Sequence, residues 1–288
     1  MHLFYFIMTA LFWGGSFLAI RIAVQNFPPF FAAGLRVFIG LVCIGGYLLI
    51  KKKKIRRPHN WLAMMMAGVI WMGLAWIFLF WGEQYVAPAL AAVLNSTVPI
   101  FTVLLTPLIT PSDKPNLKKW IGVLLGCGGV AVIFYPELSK ETTLYTYGLM
   151  ALALMSLSYA TGALLTRRLS HTDTGPLTAF YQCAGALILL VLASFLFERN
   201  LPIHWTNEGV LALLYLGIFS TAIAFIFFFK LIKERGSVEA SAVTLCVPLV
   251  AIVLDAIFLR RFLPWNQTIG AIIILLSVGL IHWKRRSL

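Results

Sequence analysis

Charge is scarce in this chain, and negative charge is scarcest. Of 288 residues 11% are charged, and only 10 are Asp or Glu against 23 Lys and Arg. So few acids form no carboxylate cluster that would suit a metal ion, and the five histidines (His2, His59, His171, His204 and His282) lie at the ends of apolar segments or between them. The four cysteines, Cys43, Cys127, Cys183 and Cys246, each sit in a different apolar segment, without metal-ligand spacing and outside any oxidising loop. They read as small packing residues. No G-x-x-x-x-G-K sequence is present, so a P-loop does not hydrolyse ATP on this chain. No apolar segment sets a nucleophile and a base at helical spacing, which argues against an intramembrane enzyme. No cofactor and no metal is expected.

In place of charge the chain has hydrocarbon. Sixty per cent of its residues are hydrophobic, mean hydropathy is +0.90, and apolar runs of about 17–25 residues recur, the length that crosses a bilayer. Ten spans are predicted near residues 3–24, 30–50, 61–82, 87–109, 119–135, 147–166, 176–197, 209–232, 238–259 and 266–283. The short connections leave no room for a soluble domain. The first run lacks a basic leader and is rich in Trp and Gly, so it reads as a first transmembrane helix rather than a cleaved signal.

A formal charge of +13 invites a nucleic-acid reading, but its distribution does not. With the N-terminus placed in the cytoplasm, 17 Lys and Arg fall on inner connections and the tail, among them Lys51 to Lys54, Arg56, Arg57 and Lys284 to Arg286, and four (Lys140, Arg199, Arg260, Arg261) fall outside. That bias orients both termini to the cytoplasm. Trp61, Trp120 and Trp283 fall at predicted inner ends and Trp81, Trp205 and Trp265 at outer ends, where indole prefers to sit. The expected partners are membrane lipid and a small-molecule substrate, with no nucleic acid; the oligomeric state, monomer or homodimer, is left open.

Residues 62–105 align without a gap to 211–254, with 11 of 44 positions identical, including Gly68 with Gly217 and Pro99 with Pro248. Each copy of the repeat then holds five spans, and an odd number sends the second copy in upside down. The expected fold is an all-α integral membrane protein: ten transmembrane helices as two inverted five-helix repeats, residues 1–146 and 147–288, around a central cavity. Gly122, Gly126 and Gly129 in the fifth span, matched by Gly270 and Ser277 in the tenth, suit close helix packing.

Polar residues converge at mid-span. The fourth span carries Asn95, Pro99, Thr102 and Thr106 on one face, and its repeat mate, the ninth, carries Thr244, Pro248, Ala251 and Asp255 at the same steps. Each proline frees the carbonyl four residues earlier, that of Asn95 or Thr244, and a freed carbonyl in hydrocarbon must find a partner in protein, water or ligand. A substrate site at these two bends is one reading; ordinary kinks satisfied by neighbouring Ser or Thr are the other. The first span adds Thr9, Trp13 and Ser16, the sixth Ser156, Tyr159 and Thr166, and the third and eighth pair Trp71 with Ser220. These aromatics and hydroxyls would line a cavity for small polar organic molecules with an apolar body. Arg36, Glu83 and Asp255 lie at membrane depth and are candidates for gating or coupling, Arg36 with Glu83 as an ion pair. Glu239 reads as a helix-terminus carboxylate.

On these residues the chain resembles the drug/metabolite transporter superfamily, specifically the EamA-type permeases. The resemblance spans nearly the whole chain and rests on A-L-F-W-G-G-S-F in the first span, Arg36 in the second, residues 83–100 (E-Q-Y-V-A-P-A-L-A-A-V-L-N-S-T-V-P-I) and 119–130 (K-W-I-G-V-L-L-G-C-G-G-V). It implies a ten-helix inverted-repeat fold, a central cavity formed by spans one, three, four, six, eight and nine, and transport of small metabolites, often efflux of amino acids. It also implies a bacterial inner membrane as the location. Where relatives place Glu nine residues before the glycine of spans five and ten, this chain has Asp113 and Arg261, so a coupling role at the second position is lost or moved, with Asp255 the substitute. The expected function is therefore a secondary transporter working by alternating access, with export or exchange of amino acids or related compounds first, then lipophilic cations or a nucleoside-type metabolite, and a channel less favoured.

Overall fold

The computed structural model describes residues 2–52, 58–86, 88–113, 115–134, 143–169, 175–250 and 265–282, and these are helical with no strand among them. In chain order the helices are α1 (His2–Asn26), α2 (Pro29–Ile50), α3 (Trp61–Gly82), α4 (Pro88–Asn95), α5 (Val98–Ile109), α6 (Leu117–Phe134), α7 (Thr143–Leu169), α8 (Gly175–Phe197), α9 (Asn207–Arg235), α10 (Ser237–Val250) and α11 (Trp265–His282). Six of them, α1, α2, α3, α7, α8 and α9, are long and apolar enough to cross a membrane. Their outer surface is studded with exposed apolar side chains such as Leu18, Phe38, Val42, Ile188 and Phe195. A soluble monomer rarely exposes so much contiguous apolar surface; lipid accommodates it. Asp255, Arg260 and Arg261 lie outside the described residues, as does the end of the predicted ninth span.

The fourth predicted span is two helices, not one bent helix. α4 ends at Asn95, Ser96 and Thr97 form a turn, and Pro99 enters the first turn of α5, where a missing N–H costs nothing. In α10 the interruption falls at Ala242, and helix resumes and runs through Pro248. The prolines therefore align in the two copies while the breaks do not. The carbonyl freed by Pro248 explains the difference: Thr244 O accepts the Ser96 hydroxyl at 3.1 Å, so the helix needs no break to satisfy it.

Two departures from α geometry do coincide in the repeat. Val69–Leu74 in α3 and Ile218–Ile223 in α9 are π-helical, and Val69 aligns with Ile218. Each follows an aligned glycine. A Cβ at Gly68 would collide with the backbone of Gln182 in α8, and one at Gly217 with the Ile39 side chain in α2. Each copy's π-bearing helix thus lies against a helix of the other copy.

Contacts between repeat mates run in opposite directions. Gly34 of α2 lies against Leu190 of α8, and Gly45 against Phe180. Gly122 of α6 lies against Ile281 of α11, Gly126 against Ser277, and Gly129 against Gly270, whose carbonyl oxygen would stand 2.9 Å from an added Cβ. The small residues of spans five and ten do bring these helices together, as lipid-embedded packing demands. The α2–α8 pair is closed by a carboxylate: Glu198, just past α8, accepts the Phe30 and Phe31 backbone N–H groups at 2.7 and 2.8 Å. It meets the unpaired donors and positive end of the α2 N-terminus. Gly236, at φ 89°, ends α9 in the left-handed region and starts α10 at once.

Glu198→Ala should lower the stability of the purified protein by about 1–2 kcal/mol, since it removes a cap and leaves two buried donors unmet. A thermal melt in detergent reads this; an unchanged midpoint would mean the cap contributes nothing.

Candidate functional site

At mid-depth the helices surround a cavity with about 510 Å³ of empty space, part of it open to the surroundings. Its wall takes Trp13, Ser16 and Phe17 from α1, Arg36 from α2, Trp71 and Leu79 from α3, and Asn95 and Val98 from α4 and α5. The second half supplies Tyr159 and Ala163 from α7, Phe225 and Phe228 from α9, and Ser241 and Thr244 from α10.

The F-W-G-G-S segment places Trp13 by contact with α9 and α10. A Cβ at Gly14 or Gly15 would stand 2.5 Å from Val250 or from the Tyr215 hydroxyl, so only glycine lets α1 come this close. Tyr215 then donates to the Phe12 carbonyl at 3.0 Å, and the Trp13 indole donates to the Ser220 carbonyl at 3.1 Å inside the π turn of α9. The indole packs on Phe225 and Phe228, with centroids 5.4 and 4.7 Å away. Trp71 meets the same two rings from the opposite π turn at 5.4 and 5.6 Å.

Among the described residues Arg36 is the one charged side chain in this wall, and it is 3% exposed. Its Nε donates to Thr221 Oγ1 at 2.9 Å and its Nη2 to Ser220 Oγ at 3.0 Å, while the guanidinium lies 3.9 Å from the Trp76 ring centroid. The Trp76 indole in turn donates to Tyr159 Oη at 2.6 Å. One network therefore joins α1, α2, α3, α7 and α9. Neutral hydroxyls and an aromatic face hold the cation; Arg36 Nη1 has no hydrogen-bond partner.

Of the residues singled out from sequence, the cavity gathers Trp13, Ser16, Trp71, Asn95, Tyr159, Thr244 and Arg36. The Asn95 carboxamide makes no hydrogen bond among the described residues, so both its donors and its acceptor are open to a ligand. Thr9, Thr102, Pro99, Ser220 and Pro248 are not in the wall. The Thr9 and Thr102 hydroxyls bond back to the Tyr5 and Val98 carbonyls on their own helices, as isolated hydroxyls in apolar helices do. Ser220 acts behind the wall, through Arg36 and Trp13. The Thr244 carbonyl is not spare, because Ser96 occupies it. Arg36 and Glu83 lie within electrostatic reach of each other but make no direct contact: Glu83 is fully buried, and neither of its carboxylate oxygens has a hydrogen-bond partner. Its backbone carbonyl instead accepts Arg21 Nη1 at 2.7 Å. Phe225, Phe228 and Val98 escape a reading of polar stripes because an apolar wall does not stand out in an apolar sequence.

A second cavity of about 480 Å³ follows the same helices toward the end predicted to be cytoplasmic. Along α7 the wall passes from Tyr159 and Ala163 to Arg167, along α10 from Thr244 and Ser241 to Val238 and Ser237, and along α5 from Val98 to Thr106. Lys119 and Arg235 complete it. The α5 and α10 segments thus run antiparallel past each other, with Ser96 against Thr244 at mid-depth and Thr106 near Ser237 at the mouth. Lys119 also reaches Glu239 at 3.5 Å.

The profile of the EamA-like transporter family matches residues 1–135 and again 146–283. The chain is 28% identical to the "Uncharacterized transporter YoaV" of Bacillus subtilis over 93% of its own length and 92% of that protein's. It is 28% identical to "Protein PagO" of Salmonella typhimurium over 87% and 82% of the two chains. With the "Uncharacterized inner membrane transporter YedA" of Escherichia coli K12 it shares 24% over 85% and 78%. A solved structure titled "Crystal structure of protein" superimposes with a TM-score of 0.81 at 20% identity, covering 97% of this chain and 95% of the other, and so has the same fold.

Thr221→Val keeps shape but removes the acceptor of Arg36 Nε. It should cost about 1–3 kcal/mol of stability in a detergent melt. Combined with Arg36→Leu, which removes the unmet donor, the second loss should largely vanish; fully additive losses would mean the two groups are not coupled.

Proposed function

The chain belongs to the EamA-like transporter family, and from that membership and the mid-depth cavity we propose that it is a secondary transporter of small organic metabolites, exporting or exchanging amino acids or related compounds by alternating access. The observation that carries the reading is that both halves of the chain share one cavity, with Trp13, Asn95 and Trp71 facing Tyr159, Phe225 and Thr244. Such a site can be exposed to one side by rocking the halves one way and to the other side by rocking them back.

The arrangement we propose is two inverted five-helix units, residues 1–146 and 147–288, in the cell membrane with both termini in the cytoplasm. Supporting it are the two matches of the family profile, the aligned π turns, and the opposed directions of the α2–α8, α6–α11 and α5–α10 contacts. The Lys and Arg distribution supports the orientation. The cavity's chemistry fits a molecule with an apolar body and a few polar groups: aromatic rings supply the first surface, and the Asn95 carboxamide and Arg36 meet the second. Lipophilic cations fit less well, since no carboxylate among the described residues lines this wall.

In proteoliposomes the protein should catalyse saturable counterflow of an amino acid or related metabolite. Linear flux that never saturates would replace the carrier reading with a channel. Asn95→Ala should weaken substrate binding by about tenfold, the loss of one or two ligand hydrogen bonds, while the protein still folds; unchanged affinity would move the site elsewhere.

A further inference from the structure

Among the described residues Arg36 is a buried cation with no carboxylate in direct contact. Burying a guanidinium in the bilayer interior is costly unless something neutralises or solvates it, and such residues generally mark a ligand or a pathway. Its direct contacts are two hydroxyls and an indole face, none of them charged, and one of its terminal nitrogens has no partner among the described residues. Glu83 lies within electrostatic reach of the guanidinium but makes no hydrogen bond to it, so it leaves the Arg36 donors unoccupied. Arg36 nevertheless lines the cavity, so the guanidinium is held in place with donor capacity left over.

The surroundings match a particular ligand chemistry. Among the described residues no Asp or Glu lines the mid-depth cavity, while Trp13, Trp71, Phe225 and Phe228 give it apolar walls and Asn95 offers a second polar contact. The cavity that continues along α5, α7 and α10 carries Lys119, Arg167 and Arg235 around its mouth. Clustered positive charge with low-dielectric walls raises the local concentration of anions and repels cations. A substrate that passes a basic mouth, sits in an aromatic chamber and meets a lone guanidinium is an apolar molecule with one carboxylate.

Resting on the transporter reading above, we infer that Arg36 is the anchor for a substrate carboxylate, and that the protein selects monocarboxylates with an aromatic or aliphatic body over their neutral and cationic analogues. Arginine suits the task because its planar fork binds a carboxylate at two points and stays charged when buried. Ser220 and Thr221 position it by occupying Nε and Nη2, and Trp76 supports its face. A free α-amino group is not required by the anchor, so amino acids and simple organic acids share this chemistry.

The test uses the full-length protein in proteoliposomes, with L-phenylalanine, 3-phenylpropionate, 4-methylpentanoate, the matching amides of all three and 2-phenylethylamine as counterflow substrates and as ligands in a thermal-shift assay. At least one carboxylate should exchange saturably and bind about tenfold or more tighter than its amide, the difference a charge-assisted bond makes. Phenylalanine ahead of 3-phenylpropionate would mark an amino-acid carrier, and the reverse an organic-acid carrier; both fit the anchor. Arg36→Gln should bring acid and amide within about twofold of each other, and Arg36→Lys should keep part of the preference. The wild-type ligand series decides the question by itself if Arg36→Gln does not fold. An amide or amine that exchanges saturably as well as any carboxylate would overturn the anchor and leave the transporter standing, as would an Arg36→Gln variant with the acid preference intact. No saturable exchange of any compound would overturn both.

Discussion

Within hydrocarbon every backbone polar group must find its partner in protein, and each departure from α-helix creates groups that the helix no longer serves. Among the described residues this chain interrupts its helices at mid-span in five places: Gly15, the Ser96–Thr97 turn, Ala242, and the π turns Val69–Leu74 and Ile218–Ile223. Around them, side chains from other parts of the bundle supply what is missing. Ser158 donates to the Ile70 carbonyl at 2.6 Å, Trp13 to Ser220, Thr221 to Leu216 at 2.7 Å, Ser156 to Leu94 at 2.7 Å and Ser96 to Thr244. Four of the five bonds join different helices, and all four join the first half of the chain to the second. The interruptions open the cavity and, through their repair, tie its walls together.

The same economy explains the Arg36 cluster. A π turn widens the helix by one residue and turns Ser220 and Thr221 toward α2, where their hydroxyls take two of the guanidinium nitrogens. The aligned π turn of α3 presents Trp71 to the rings of Phe225 and Phe228. One copy of the repeat therefore contributes an aromatic surface and the other a polar cradle from equivalent positions. Divergence of side chains on a shared backbone irregularity has made one asymmetric chamber from two related halves.

Close approach of helices is what makes these bonds reach. Gly14 and Gly15 admit Val250 and Tyr215, Gly68 admits the α8 backbone, and Gly217 admits Ile39. Since lipid offers no hydrophobic drive for helices to associate, contacts at this range and the hydrogen bonds they permit hold the bundle. The exposed aliphatic residues of the outer surface add nothing to that cohesion, because they meet hydrocarbon either way.

Hydropathy by itself determined the solvent, the helical class and most span positions, because crossing a bilayer imposes length and composition that few other folds share. The aligned glycines and the stripes holding Trp13, Asn95, Tyr159 and Thr244 were equally legible, since polar residues are conspicuous in an apolar helix and helical spacing assigns them a face. Periodicity could not say which hydroxyls were already spent. Thr9 and Thr102 turned back to their own helices, and Ser96 took the Thr244 carbonyl, choices that depend on which neighbour lies within 3 Å. Nor could it separate Phe225 and Phe228 from lipid-facing phenylalanines, for both kinds are apolar and only packing tells them apart. Whether Arg36 would touch Glu83 was hidden for the same reason: two charges at similar depth in sequence meet only if their helices turn those faces together, and here Glu83 stays within electrostatic reach while Ser220, Thr221 and Trp76 make the direct contacts.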